Sequence, residues 1–311
     1  MKRVSWMLLM LACLASGCSN SVNSSFTSLF GGQITPPVDG TLGAGGSGVA
    51  STGTTLTTTT GGYIEVTSVS QLTLNSNQTF YGLAADPNNL YQLLKENDGG
   101  GIYHWLFMSM PNSSNTFSTV CSILDDGNFS GGLGWDGTYF YTFKPGGPPI
   151  YIRRFQASNC SEATALDTNF NQSSTIGGFI SLDSGTLYWE PTSTPLYVNT
   201  ASSGAEVATF SGSSTIGTKT FNFGALGYSY PFTVKSGTLW ALGTDPSTSD
   251  ILLWKFTVST STVTPIGWVD INSIAQSYAL SNITTQDGST LVIESGSGTA
   301  VSLYSVNVSH F

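Results

Sequence analysis

Short stretches in which apolar and polar residues alternate cover most of this chain, a pattern typical of β-strands with one buried face. No stretch shows the three-to-four-residue spacing of an amphipathic helix. A turn followed by an apolar, aromatic-rich run recurs five times, at intervals of about 50 residues. The five turns begin at Asp86, Asp136, Asp183, Lys235 and Asp287. The sequence therefore predicts an all-β protein built from five repeats.

Each repeat predicts four strands, and the repeated run is the second of them. The first strands are predicted at residues 80–86, 130–136, 177–183, 230–235 and 281–287. The fifth repeat ends at Phe311 after its third strand, so its fourth strand is missing. A strand-like segment without a partner, residues 63–74, precedes the first repeat. We therefore expect residues 63–74 to complete the last repeat.

This arrangement resembles the β-propeller superfamily, in which four-stranded blades form a ring. The resemblance implies five antiparallel blades over residues 63–311, closed by the N-terminal strand that completes the last blade. Small residues in the first strands suit a crowded centre, and they are Gly82, Ala84, Gly132, Gly134 and Gly178. A β-solenoid or two β-sandwiches are the alternatives, but the terminal strand exchange favours the propeller.

The acidic residues that begin four of the five repeated turns invite a second interpretation, a ring of carboxylates that binds metal. Asp side chains commonly accept hydrogen bonds from nearby backbone N–H groups in such turns. Lys235 occupies the same column in the fourth repeat. We therefore interpret these acids as turn-forming residues.

Residues 1–17 have the features of an export signal, with Lys2 and Arg3 ahead of an apolar stretch that is short for a membrane span. The stretch ends in Leu-Ala-Ser-Gly-Cys, which resembles the lipobox of bacterial lipoproteins, although Ala15 stands where that family more often has Leu. The resemblance implies that Cys18 is lipidated and becomes the mature N-terminus. Ser19 then implies sorting to the outer membrane. The alternative is an ordinary secretory signal with an incidental cysteine.

Residues 18–62 differ in composition from the rest, since they are rich in Gly, Ser and Thr and poor in large apolar side chains. Such a segment buries too little surface to offset the entropy of ordering it. We therefore expect a lipidated Cys18 followed by a flexible tether, with the propeller domain beginning at residue 63.

The charge balance excludes some partners. The chain has 18 acidic and 9 basic residues, for a net charge of −9, whereas nucleic-acid binding requires clustered Lys and Arg. The chain contains only two His, so no cofactor or metal-binding set is assigned. The expected partners are a membrane, through the N-terminal lipid, and a protein or glycan ligand. The propeller is expected to be monomeric.

The expected ligand face carries the loops that join second to third strands and fourth strands to the next blade. Its candidate residues are Glu96, Asp98, Asp125, Asp126, Lys144, Glu190 and Glu294. Glu190 and Glu294 share a column in which the other repeats have Leu93, Phe143 and Leu242.

Rigid blades with variable loops suit a binding or scaffolding module, and no catalytic residue is assigned. The alternative is a carbohydrate-active enzyme that uses the loop-face carboxylates, because five-bladed propellers include glycoside hydrolases that use paired carboxylates.

Two cysteines remain after processing, Cys121 and Cys160. An oxidising compartment favours a disulfide between them. The outer strands of adjacent blades diverge, however, and a disulfide requires Cα atoms within about 7 Å. The sequence leaves both outcomes open.

Overall fold

A computed structural model describes residues 50–114, 116–127, 130–144, 151–168, 178–191, 195–223, 230–245, 247–275, 282–297 and 300–311. The described residues form β-strands, turns and irregular segments without a helix. The chain is an all-β, five-bladed propeller, and each blade is a four-stranded antiparallel sheet. The predicted fold class is confirmed.

The strands follow the predicted order along the chain. Two strands precede the first blade: β1 (Thr55–Thr57) and β2 (Tyr63–Thr73). Blade one contains β3 (Gln78–Ala85), β4 (Asn89–Asn97), β5 (Tyr103–Pro111) and β6 (Ser118–Leu124). Blade two contains β7 (Ser130–Trp135), β8 (Tyr139–Lys144), β9 (Tyr151–Gln156) and β10 (Glu162–Asp167). Blade three contains β11 (Gly178–Asp183), β12 (Thr186–Pro191), β13 (Leu196–Thr200) and β14 (Glu206–Phe210).

A hairpin separates the third and fourth blades, formed by β15 (Gly212–Ile216) and β16 (Lys219–Phe223). Blade four contains β17 (Phe232–Lys235), β18 (Thr238–Thr244), β19 (Ile251–Val258) and β20 (Val263–Asp270). The last three strands are β21 (Asn282–Thr285), β22 (Thr290–Ser297) and β23 (Ala300–Asn307). They form blade five together with β2, and β1 extends this sheet at its outer edge.

The ring closes where β2 pairs with β23. Glu65 lies opposite Asn307 at one end of this ladder, and Thr73 lies opposite Ala300 at the other. Ile64 and Val66 of β2 are fully buried among residues from blades four and five. The predicted completion of the last blade by an N-terminal strand is thereby confirmed.

The five innermost strands β3, β7, β11, β17 and β21 contact one another in turn, and β21 contacts β3. Their small residues are needed for this close approach. A Cβ atom on Gly82 would lie 2.7 Å from the backbone nitrogen of Leu133, and one on Gly132 would lie 2.8 Å from the carbonyl oxygen of Gly178. The predicted crowding of the centre is confirmed.

The apolar column of the second strands fills the space between blades. Its members, buried at equivalent positions of the five sheets, are Leu90, Phe140, Leu187, Leu239 and Leu291. Tyr188 of blade three packs against Val234 and Leu239 of blade four. Burial of this kind contributes about 25 cal/mol per Å² of apolar surface, so these contacts stabilise the packing of the blades.

Residues 50–62 differ from the prediction that places them in a flexible tether. Ala50 and Leu56 are buried against blades four and five, and β1 pairs with β2. The backbone N–H of Thr59 donates to the carbonyl of Trp268 on β20 over 3.0 Å. The composition of residues 18–62 as a whole predicts a flexible segment, but two apolar side chains and a few backbone hydrogen bonds are enough to hold residues 50–62 against the propeller. Residues 18–49 lie outside the described residues, so their assignment as a tether stays a prediction.

The β15–β16 hairpin lies between blades three and four, in a segment to which the repeat pattern assigns no strand. Phe221 and Phe223 of β16 are buried against Tyr230 and Phe256 of blade four. The Lys219 ammonium at the start of β16 pairs with the carboxylates of Asp245 and Asp250. Burial opposes ionisation of Asp245, but hydrogen bonds from Lys219, Ser247 and Thr248 hold the pKa of its carboxyl below the usual value.

Within the described ranges, no helix has the length and apolar character needed to cross a bilayer.

Candidate functional site

An axial cavity of about 270 Å³ is the site around which the five blades converge. The ends of the innermost strands form its wall. The turns that join first to second strands form its rim, to which Lys235 at the end of β17 also contributes. The cavity therefore lies at the face of these turns, opposite the face on which the sequence places the ligand loops.

The cavity wall has an apolar side and a hydroxyl-rich side. Blades one and two contribute mainly Leu83, Ala84, Leu133, Gly134 and Trp135. Blades three to five contribute the hydroxyl-bearing residues Ser181, Thr233, Thr284 and Thr285, together with aliphatic side chains such as Ile180 and Ile283. Ser181 Oγ accepts a hydrogen bond from the backbone N–H of Val234 over 2.9 Å, which joins blades three and four. The wall thus offers both polar and apolar contacts to a small ligand.

The carboxylates at the cavity rim are fixed by hydrogen bonds from the turns that they begin. Asp86 Oδ1 accepts hydrogen bonds from the backbone N–H groups of Asn88 and Asn89, each over 2.8 Å. Its Oδ2 accepts from the Tyr91 hydroxyl over 2.8 Å and from Trp135 Nε1 of blade two over 3.1 Å. Burial opposes ionisation of Asp86, but these hydrogen bonds hold its pKa below the usual value.

Asp136 repeats the arrangement in blade two. Its Oδ1 accepts from the backbone N–H groups of Thr138 and Tyr139, and its Oδ2 accepts from the Tyr141 hydroxyl over 2.6 Å. Burial, followed by the adjacent Asp136 carboxylate, raises the pKa of Tyr141. Asp287 accepts from the backbone N–H groups of Ser289 and Thr290 in the same way. The interpretation as turn-forming residues is confirmed for Asp86, Asp136 and Asp287, whereas Asp183 accepts from the Ser184 hydroxyl and from the Gly237 N–H of blade four. The bonds to tyrosine and tryptophan were not predicted.

The two glutamates of the predicted ligand face do not reach solvent. Glu190 of β12 has 0% of its surface exposed, and Glu294 of β22 has 3%. Glu294 Oε2 accepts a hydrogen bond from Asn282 Nδ2 over 2.9 Å, and burial raises the pKa of Glu294 to about 8. Their positions in an otherwise apolar column explain the burial, since Leu93, Phe143 and Leu242 are also buried there. The prediction that the two glutamates lie on an accessible face is therefore corrected.

Four other candidates of that face lie at one corner of blade one. Lys95 Nζ lies 2.7 Å from an Asp125 oxygen, and Arg153 of blade two lies 3.2 Å from Asp126. Asp98 Oδ1 accepts from the backbone N–H of Gly100, and Glu96 Oε1 accepts from Gln78 Nε2.

The side chain of Lys144, the seventh candidate, lies outside the described residues, as do parts of most loops of that face. Of the six candidates whose side chains are described, none lines the axial cavity. A ligand role for this face stays a prediction.

The two cysteines form a disulfide in the structure, with Cα atoms 5.7 Å apart. Cys121 lies on β6, and Cys160 lies in the turn between β9 and β10. This turn reaches the outer edge of blade one, so divergence of the outer strands does not separate the cysteines. Cys18 lies outside the described residues. Over the part of the chain that the structure describes, no three His, Cys, Asp or Glu side chains are grouped to hold a metal ion.

This chain resembles known proteins in fold. No protein-family model matches the chain, and no curated protein matches it. Among solved structures, a GH43_1 enzyme from Xanthomonas citri, complexed with xylotriose, is 9% identical over 78% of this chain and 90% of its own, with a TM-score of 0.50. A glutaminyl cyclase from Myxococcus xanthus is 12% identical over 78% of this chain and 96% of its own, with a TM-score of 0.48.

Proposed function

We propose that this chain is a lipid-anchored protein of the bacterial envelope whose propeller binds a small glycan unit in the axial cavity. The observation that carries the proposal is the two-sided cavity wall. A sugar ring presents apolar C–H faces and a polar rim of hydroxyl groups. The apolar side chains of Leu133 and Trp135 suit the C–H faces of the sugar, and the hydroxyl groups of Thr233 and Thr284 suit its hydroxyl groups. Specific pockets combine apolar walls with a few placed polar groups in this manner.

The size of the cavity limits the ligand. Small-molecule pockets range over roughly 300–1,000 Å³, and this cavity, at about 270 Å³, lies just below that range. It accommodates one sugar unit or a chain end and excludes a longer oligosaccharide. The rim groups Asp136 and Lys235 stand where further hydroxyl groups of the ligand would emerge.

Membrane anchoring rests on the sequence of the N-terminal region. Acylation of Cys18 would add about 0.8 kcal/mol of membrane affinity for each buried methylene group. Two or more acyl chains would then hold the propeller at a bilayer without a transmembrane helix.

The hydrogen bonds and the pKa of the rim carboxylates favour binding over hydrolysis. The Xanthomonas citri enzyme was solved with xylotriose, and glycoside hydrolysis requires a carboxylic acid and a carboxylate about 5–10 Å apart. Asp86 and Asp136 each accept two backbone hydrogen bonds and a tyrosine hydroxyl. The low pKa of Asp86 opposes a role as general acid, and the high-pKa carboxyl of Glu294 is buried between blades outside the cavity wall.

Titration of the full chain with xylose, glucose and N-acetylglucosamine, followed by saturation-transfer NMR, tests the proposed ligand class. Thr284→Val removes a cavity hydroxyl while keeping the side-chain shape. It is expected to weaken binding about fivefold, the equivalent of one hydrogen bond. Thr257→Val, the same change at an exposed position of β19, is the control and leaves affinity unchanged. Equal affinities for both variants, or no binding of any sugar, would contradict the proposal.

Anchoring is tested separately by membrane fractionation of bacteria that express the full chain. The wild type is expected in the membrane fraction with an acylated N-terminal peptide, and Cys18→Ser in the soluble fraction. Retention of Cys18→Ser in membranes, or an unmodified wild-type cysteine, would contradict lipid attachment.

A further inference from the structure

Three of the described residues that line the axial cavity are charged, namely Asp86, Asp136 and Lys235. A carboxylate can accept about four hydrogen bonds, and the two acids already use most of this capacity. Asp86 accepts from two backbone N–H groups, a tyrosine hydroxyl and a tryptophan N–H. Asp136 accepts from two backbone N–H groups and a tyrosine hydroxyl. Neither acid therefore has much capacity left for a ligand.

Lys235 differs from the two acids because its ammonium has no partner among the described residues. The ion pairs in this part of the chain are formed by Lys95, Arg153 and Lys219. The stem of Lys235 lies close to the turn between β21 and β22, since a Cβ atom on Gly288 would be 3.5 Å from Lys235 Cγ. An ammonium group donates up to three hydrogen bonds. The cavity rim therefore has a cation, between blades four and five, whose donors are available to a ligand.

Two further acids lie in the turns beside Lys235, and neither of them lines the cavity. Asp287 accepts from two backbone N–H groups of its own turn. Asp183 accepts from the backbone N–H of Gly237 over 3.2 Å. Within the described ranges, neither carboxylate forms an ion pair with Lys235. Both acids thus lie outside the wall that a ligand would contact, whereas Lys235 is part of it.

Lys235 stands across the cavity from Asp86 and Asp136. In this ring of five blades, blade four faces the junction of blades one and two, which carry the two acids. Thr233 precedes Lys235 by two residues on β17, so both side chains lie on one face of the strand, about 7 Å apart along it. Both residues line the cavity. A ligand that contacts the Thr233 hydroxyl can therefore place an anionic group at Lys235, away from the two acids.

We infer that the sugar bound in the axial cavity carries a carboxylate, as a uronic acid does, and that Lys235 selects it. This inference rests on the proposed binding of a sugar unit in the cavity. Charge-assisted hydrogen bonds from an ammonium to a carboxylate are stronger than those to a neutral hydroxyl. A sugar phosphate fits less well, because a phosphate carries nearly two negative charges and Lys235 is the one cation in the described lining.

The net charge of the whole chain, −9, opposes an anionic ligand only weakly at the binding site. Salt screens exposed charges that are more than about 8 Å apart at physiological ionic strength. The unpaired ammonium that contacts the ligand therefore has more influence on its affinity than acids elsewhere on the surface.

Ligand-observed NMR titration of the full chain at pH 7 tests the inference with three methyl glycosides. They are methyl glucuronoside, its neutral amide and methyl glucoside. The amide keeps the shape of the uronic acid and removes its charge. The uronic acid is expected to bind about fivefold more tightly than the amide, as for a partly exposed ion pair, and the difference should shrink in 1 M NaCl.

Lys235→Gln is expected to weaken binding of the uronic acid about fivefold and to leave binding of the amide unchanged. Lys95→Gln removes the same charge near the far end of β4, outside the cavity lining, and is expected to retain the preference for the acid. Lys235→Asp introduces the residue that the other four blades have in this column, and is expected to reverse the preference. This variant provides the test if Lys235→Gln fails to fold.

Equal binding of the uronic acid and its amide would overturn the inference and leave the proposed sugar binding intact. A preference for the acid that survives both Lys235 variants would also overturn it. Tighter binding of glucose 6-phosphate than of the uronic acid would assign the cavity to sugar phosphates instead. Binding of none of the sugars would contradict the proposed function itself, and the inference with it.

Discussion

Tyr63, the first residue of β2, is bound to His310 near the other end of the domain. The backbone N–H of Tyr63 donates to the carbonyl of His310 over 3.0 Å, and the two rings stack with centroids 4.6 Å apart. Gly62 lies against the same carbonyl, so closely that a Cβ atom there would clash with it. The ring is therefore closed by contacts between its first and last strands, with no covalent bond between them.

Replacement of a buried residue of β2 is expected to weaken this closure. Ile64 is fully buried between blades four and five, and Ile64→Ala should lower the free energy of unfolding by about 2–5 kcal/mol. Thr73→Ala, at an exposed position of the same strand, is the control and should change it by less than about 0.5 kcal/mol. Urea denaturation measures both variants. Equal stability of the two would show that β2 contributes little to closure.

The stability of the protein is expected to fall as the pH rises through the range in which the Glu294 carboxyl loses its proton. Its pKa is about 8 in the folded protein and 4.5 in a model peptide, so the folded state binds the proton more tightly. The stabilisation is complete below about pH 4.5 and is lost as the pH rises to about 8, at roughly 1.4 kcal/mol per pH unit.

Glu294→Gln should remove this contribution to the pH dependence, and should make the variant more stable than the wild type at pH 9. Glu206→Gln changes an exposed glutamate and is the matched control. Denaturation at pH 5, 7 and 9 measures the effect. A wild-type profile that Glu294→Gln leaves unaltered would contradict the buried, protonated carboxyl.

The Asp86 carboxylate is expected to stabilise the contact between blades one and two. It accepts two backbone N–H groups, the Tyr91 hydroxyl and Trp135 Nε1, so Asp86→Ala leaves several donors without an acceptor. We expect a loss of about 1.5–3 kcal/mol in the free energy of unfolding. Asp183→Ala is the comparison, because Asp183 occupies the same column but accepts only a long bond of 3.2 Å from Gly237 N–H and one from Ser184. A larger loss for Asp183→Ala would contradict this assignment.

The Cys121–Cys160 disulfide is expected to stabilise the protein by restricting the unfolded chain. The cysteines are 39 residues apart, which corresponds to about 4 kcal/mol in the chain-entropy model. The double variant Cys121→Ser/Cys160→Ser should lose stability of this order, and non-reducing peptide mapping of the exported wild type should detect the linked peptides. Two free thiols in the exported protein would contradict the assignment.

Repetition made the fold predictable from sequence. The five-fold column of Leu90 and its equivalents located the second strands, and the missing fourth strand of blade five pointed to residues 63–74. Both inferences needed only the period of the repeat and the rule that sheet edges must be covered. The β15–β16 hairpin was not predicted because it occurs once, between repeats, and its many Ser and Thr residues resemble a loop.

The candidate site was less predictable because it depends on contacts between blades. Glu190 and Glu294 were assigned to an accessible face from their charge, although the apolar residues of the same column indicated burial. The hydroxyl side of the cavity combines Ser181, Thr233 and Thr284 from three blades, which are separated by about 50 residues in sequence. Only the closed ring brings these residues together.

Cross-linking of β2 to β23 tests the central claim, the closure of a five-bladed ring by the N-terminal strand. Gln71 and Ser302 lie opposite each other in this ladder, with Gln71 Nε2 and Ser302 Oγ 2.9 Å apart. Gln71→Cys/Ser302→Cys should form a new disulfide under mild oxidation, whereas the control pair Gln71→Cys/Ser213→Cys, which joins β2 to the hairpin, should not. Peptide mapping that finds residues 71 and 302 linked supports the closed ring. Free thiols at both positions in the folded, oxidised protein would contradict it.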